Sequence, residues 1–164
     1  MKRLITITFL AILVILSAKA QPTLPPRTLT VSATQPIHFG KFCVTGPGGG
    51  TVTVNWDGTR SATGSIALLP GEPTAQPAIF NTRICWGRRI TLTYDPITLI
   101  TGSGGGTMTM DIGPTEKGLN GASFISAGDC NSINIIRVGG TIHIPANAVP
   151  GFYSGSFTLT FSQN

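Results

Sequence analysis

Apolar residues in this chain recur at every second position and nowhere in a sustained helical stripe. Leu29, Val31 and Ala33 share one parity; so do Val52, Val54 and Trp56; Ile90, Leu92 and Tyr94; Met108, Met110 and Ile112; and Phe157, Leu159 and Phe161. Alternation of this kind sends one set of side chains to a core and the other to water, the pattern of a half-buried strand. Shorter apolar runs stand at 37–44, 65–69, 78–84, 133–138 and 141–144. Almost every gap holds turn formers such as Asp57-Gly58, Pro70-Gly71, Gly139-Gly140 and Pro150-Gly151. About eight to ten short strands without crossover helices predict an all-β, antiparallel sandwich, with a closed barrel as the second choice.

The same parity sorts individual residues. Trp56 keeps step with Val52 and Val54 and is expected in the core, whereas His143 opposes Ile142 and Ile144 and is expected on the wet face. His38 opposes Ile37 and Phe39 in the same way.

Two stretches echo each other: TGPGGGTVTVNW at 45–56 and TGSGGGTMTMDI at 101–112. A glycine cluster that cradles phosphate feeds a helix, and a P-loop also needs Lys followed by Ser or Thr. Both clusters run instead into alternating strand patterns, so they are expected to turn the chain, with positive φ as the reason for glycine. Equivalent hairpins on opposing sheets would favour an internal duplication; any other placement would favour coincidence.

The chain starts with Lys2 and Arg3, runs apolar from Leu4 to Leu16 and ends this segment with Ala18-Lys19-Ala20, the layout of a secretory signal peptide over residues 1–20. An extended, proline-rich arm follows at 21–27 (QPTLPPR), and residues 28–164 form a single sandwich domain. No stretch of the remaining chain is long enough to span a bilayer as a helix. Eleven basic and six acidic residues become eight and six once Lys2, Arg3 and Lys19 leave. That balance lacks the clustered basic face of a nucleic-acid binder, so no nucleic acid is expected as partner. Export permits disulfides, and the three cysteines are Cys43, Cys85 and Cys130. Cys85 and Cys130 lie beside turn residues and are the expected pair; Cys43 sits within an apolar strand pattern as the expected free thiol, behaving as a small buried hydrophobe.

Titratable groups are sparse and scattered. No G-x-S-x-G elbow, C-x-x-C spacing or clustered acid set points to hydrolysis, zinc or calcium, so no catalytic residue, metal site or cofactor is expected. Asp57 next to Gly58 reads as a turn former. Trp86, adjacent to Cys85, is the candidate surface contact.

Several segments in order carry a resemblance: SATQPIHFGKFCV (32–44), GGTVTVNWDGTRSATGSIALL (49–69), QPAIF (76–80), LITGSGGGTMTMDIG (99–113), RVGGTIHI (137–144) and PGFYSGSFTLTFSQN (150–164). Together they resemble the secreted bacterial family called domain of unknown function 4402. The resemblance implies an exported, immunoglobulin-like β-sandwich with no established catalytic residues; in it Cys43 follows the FG-x-F segment, and Cys85 and Cys130 look like an added pair. The closing pattern Gly151, Tyr153, Gly155, Phe157 and Phe161 is also similar to the last strand of chaperone-usher pilins and spore-coat-like fimbrial subunits.

These readings lead to a non-enzymatic exported subunit of the cell surface, structural or adhesive, assembling through strand edges as pilus or fimbrial proteins do. Its partners would be other copies of itself or surface and pilus proteins. The arm and first strand, 21–33, would be the donor, with Leu29, Val31 and Ala33 filling alternate pockets. The alternative is a monomeric extracellular or periplasmic binding module for glycan or an envelope component, with Trp86 as the contact.

Overall fold

The computed structural model describes residues 29–163. The segment expected to be a signal peptide, 1–20, and the expected arm at 21–27 lie outside the described residues. Within them every regular element is a strand and every pairing is antiparallel.

The larger sheet is built around β11 (Ile133–Ile144), a strand of 12 residues. On one edge its first half pairs with β6 (Ala78–Arg83) and its second half with β3 (Gly50–Val54); on the other edge it pairs with β9 (Thr107–Thr115). Outside these lie β1 (Thr30–Gln35) against β6, β4 (Arg60–Gly64) against β3, β8 (Ile97–Gly102) against β9, and β12 (Tyr153–Ser154) against β8. The smaller sheet runs β10 (Ser123–Ile125), β7 (Arg89–Tyr94), β13 (Leu159–Gln163), and a separate ribbon joins β2 (Lys41–Val44) to β5 (Ile66–Leu69). The two sheets face each other: Phe80 of β6 stacks edge-on with Phe157 at 6.3 Å and tilts against Phe161 at 6.2 Å. This helix-free antiparallel architecture is the one the alternation predicts, and it is consistent with a sandwich.

One core cluster draws on both sheets, with Val52, Leu92, Ile136 and Val138 wholly buried. Each such aliphatic side chain stabilises the fold by about 1.5–3 kcal/mol relative to exposure. Ile37, Phe39, Phe42 and Ile66 pack against it from the ribbon side. Arg60 fastens β4 to that ribbon by donating from Nη2 to the Lys41 carbonyl at 2.6 Å and from Nη1 to the Leu69 carbonyl at 3.4 Å. Burial holds its guanidinium below the usual arginine range.

Gly139-Gly140 is not a turn, contrary to the sequence reading; both residues are buried inside β11. A Cβ on Gly139 would stand 2.6 Å from the Val54 carbonyl oxygen, and one on Gly140 would stand 3.2 Å from Ile37 Cδ1 and 3.4 Å from Phe39 Cζ. Glycine is needed because β11 changes neighbours here, from β6 to β3, and the end of β3 crosses close to its backbone.

Two other expectations also change. Trp56 is 40% exposed, because β3 stops at Val54 and Asn55 to Gly58 form a turn closed by the Gly58 N–H to Asn55 carbonyl bond at 3.0 Å. A turn cancels the parity that placed Trp56 with the valines. Cys43 is free, as expected, but exposed rather than buried. In β2 it is Phe42 that packs on the core, and Cys43, one residue on, points the other way.

Candidate functional site

The smaller sheet ends at β13, which pairs with β7 and, among the described residues, with no other strand. Leu159 and Phe161 oppose Tyr94 and Leu92, so they face the core, while Thr160 and Ser162 face out. The free edge carries neither lysine nor proline, the usual blunting residues of exposed edges.

Across from β13 the Phe161–Phe80 contact places β6, and β1 pairs with β6 at the edge of the larger sheet. Val31 pairs with Thr82 and Ala33 with Phe80, so both share the core-facing side of the larger sheet. Thr82 is buried and Phe80 packs against Phe157 and Phe161, yet Val31 remains 43% exposed and Ala33 is exposed too. The larger sheet therefore extends one strand farther than the smaller one. Close by, the Thr82 hydroxyl donates to the Asn134 carbonyl at 3.2 Å, and the buried Asn134 amide nitrogen has no partner. Leu29 is half-buried next to this slot. Of the three residues expected to act as a donor, Val31 and Ala33 stand on β1, which pairs with β6 in its own sheet, and Leu29 directly precedes it.

At one end of the molecule the chain crosses from β6 to β7 through Cys85-Trp86-Gly87-Arg88. Cys85 is bonded to Cys130, as the sequence reading expects, with a separation of 45 residues. In the chain-entropy model a loop of that size is worth roughly 4 kcal/mol. Buried Ser126 holds the same turn: its hydroxyl donates to the Cys85 carbonyl at 2.6 Å and accepts from the Arg88 N–H at 3.1 Å, while its carbonyl accepts from the Gly87 N–H at 3.1 Å. Trp86 is 76% exposed on this fixed turn.

The histidines lie apart. His38 is exposed and bridges backbone-to-backbone with Gln76. His143 is on the outer face of the larger sheet, where its Nε2 meets Asp111 Oδ2 at 2.7 Å, with side-chain exposures of 47% and 46%. Threonines surround the pair, since Thr51 and Thr109 oppose His143 on its two sides and Thr53 shares a 2.8 Å hydroxyl bond with Thr141. Sequence separation hid this pair; only the registers of β9 and β11 bring it together. On an open sheet face it can exchange protons with water but encloses no substrate. The most pronounced recesses are elsewhere, one of about 250 Å³ lined by Thr93, Tyr94, Asp95, Thr158 and Thr160, and a neighbour of about 150 Å³ that shares Asp95 and Thr158. No group of three or more His, Cys, Asp or Glu side chains able to hold a metal ion occurs among the described residues.

Asp57 behaves as the turn former expected. Its Oδ1 accepts from the Thr59 N–H at 2.9 Å and the Thr59 hydroxyl at 2.7 Å, and these bonds, the side-chain one first, hold its carboxyl below the ordinary aspartate range.

Fold and surface together define an all-β antiparallel protein with a disulfide-fixed tip and, at β13, a sheet edge paired on one side only among the described residues. The chain belongs to the family described as Domain of unknown function (DUF4402), whose model matches residues 29–162. No curated protein and no solved structure matches it.

Proposed function

We propose that this protein is a non-enzymatic exported subunit of the cell surface, structural or adhesive, that associates by accepting a strand at β13 from another copy of the chain or from a related surface protein. The observation that carries this reading is the slot between β13 and β1. A strand added there would satisfy the open amides and carbonyls of β13 while its inward side chains covered Val31 and Ala33. Export is supported by the signal-like segment at 1–20 and by the Cys85–Cys130 bond, which persists in oxidising compartments: the periplasm, the cell surface or the medium. The pilin-like closing pattern at 151–161 supports the same reading.

Light scattering across a concentration series tests it. Val31→Asp places a charge in the slot without touching the buried core, so it should abolish association and leave the melting temperature nearly unchanged. A wild-type protein that stays monomeric throughout, and takes up no strand peptide, sinks the proposal.

The second reading is a monomeric extracellular or periplasmic module for glycan or another envelope component. The exposure of Trp86 on a turn held by both a disulfide and a buried serine favours it.

A further inference from the structure

The tip that carries Trp86 has a composition unlike the rest of the surface. Seven consecutive residues, 83–89, hold Arg83, Arg88 and Arg89, and among the described residues no carboxylate lies within ion-pair distance of any of them. An acid, Asp129, adjoins Cys130 and so lies beside the bridged turn. Its Oδ1 is occupied by the Asn131 N–H at 3.0 Å and the Ser132 hydroxyl at 2.8 Å.

Apolar side chains accompany the arginines. Arg89 pairs across strands with Ile125, and Arg83 with Ile133, and both isoleucines are largely exposed. Trp86 is 76% exposed on this turn, and an Arg–Ile pair stands at the adjoining end of each sheet, Arg83 and Ile133 on the outer face of the larger one and Arg89 and Ile125 on the outer face of the smaller one. A Cβ on Gly87 would meet nothing within 4 Å, so the turn is open to solvent. A sugar ligand is normally gripped by a concave or flat platform. An exposed tryptophan with aliphatic neighbours and unpaired guanidinium groups matches another environment, the headgroup region of a lipid layer. There the indole is favoured at the boundary, the isoleucines enter the acyl edge, and arginine forks pair with phosphate.

We infer that the Trp86 tip is a docking site for a phosphate-bearing anionic lipid surface. The inference rests on the second reading above, the envelope-binding one, and is independent of any strand taken up at β13. The disulfide and Ser126 keep the turn rigid, so ordering it costs little on contact.

The test uses the disulfide-bonded protein as recovered from a secreting host, with Trp56→Phe introduced so that Trp86 alone reports. Vesicles rich in phosphatidylglycerol should shift the Trp86 emission to the blue, pure phosphatidylcholine vesicles should not, and added salt should reverse the shift. Arg83→Ser, Arg88→Ser and Arg89→Ser should each weaken binding about fivefold, the equivalent of one basic residue at an anionic surface. Trp86→Ala, followed by co-sedimentation, should weaken it further while leaving the melting curve intact. The inference is overturned by equal binding to both vesicle types, by no emission shift with the anionic vesicles, or by binding that the Trp86 and arginine variants leave unchanged. Retention on an acidic polysaccharide without any vesicle binding would also overturn it, in favour of a glycan.

Discussion

The two glycine clusters at 48–50 and 104–106 read almost alike, yet the fold needs them for different reasons. Gly105 and Gly106 lie between the paired strands β8 and β9 with φ of 86° and 84°, and a Cβ on Gly105 would meet open space. Their requirement is conformational, the cost of left-handed backbone for any other residue. Gly49 and Gly50 have no such φ, and they lead from β2 in the ribbon to β3 in the larger sheet, so they do not turn a hairpin. A Cβ on Gly49 would collide with the Ile144 carbonyl, and one on Gly50 with the Thr63 carbonyl. Their requirement is space. The strands that follow flank β11 on its two edges in one sheet, with Thr51 and Thr109 both opposite His143, rather than occupying opposed sheets. By the criterion set from the sequence, the echo reflects two solutions to strand entry more than a duplicated unit.

Substitutions can break or sharpen this contrast. The largest effect should come from Gly50→Ala, where a Cβ would run into the Thr63 backbone and the Ile66 side chain at 2.7 Å; a loss of about 4 kcal/mol or more is expected in urea unfolding. A loss below about 1 kcal/mol would show that the sheet can open there and would erase the difference. Next is Met110→Ala, in the strand that follows the second cluster. Met110 is buried opposite Ile142, and about 3 kcal/mol should be lost from the midpoint of the same transition. Gly105→Ala should cost only about 1–2 kcal/mol, and Gly105→Asn less, since asparagine tolerates the left-handed region; matching losses for Ala and Asn would point to crowding instead. The smallest effect concerns the Asp57 turn that ends β3. Its carboxyl has a folded pKa below the ordinary 3.8, so its stabilisation is present above that value and fades as pH falls through the folded pKa. Asp57→Asn should flatten this part of an acid titration of melting temperature, and an unchanged profile would remove the role assigned to the Thr59 bonds.

Much of the architecture was legible because strand parity is local. Alternation placed Val52, Val54, Leu92, Met108 and Met110 in the core and His143 in water, and turn chemistry located Asp57-Gly58 and Pro70-Gly71. The same rule misplaced Trp56 and Cys43, where a strand ended or where its apolar face was set by one neighbour, Phe42, rather than by the run as a whole. For Trp86, next to Cys85, the sequence offered only the better of two surface candidates, and the fold leaves it 76% exposed. The His143–Asp111 pair and the vacancy beside β13 were not legible, since both depend on which strands become neighbours.

The sequence by itself determined an all-β chain and most of its turn positions, because side-chain period and φ preference are properties of short segments; it made Cys85 and Cys130 the expected pair, and the fold joins them. The tertiary structure alone decided that Gly139-Gly140 continues a strand, that Val31 and Ala33 stay exposed on the core-facing side of β1, and that an Arg–Ile pair from each sheet ends beside the turn that carries Trp86. Register and layer width arise from contacts between distant segments, and no local pattern encodes which sheet runs out of strands first.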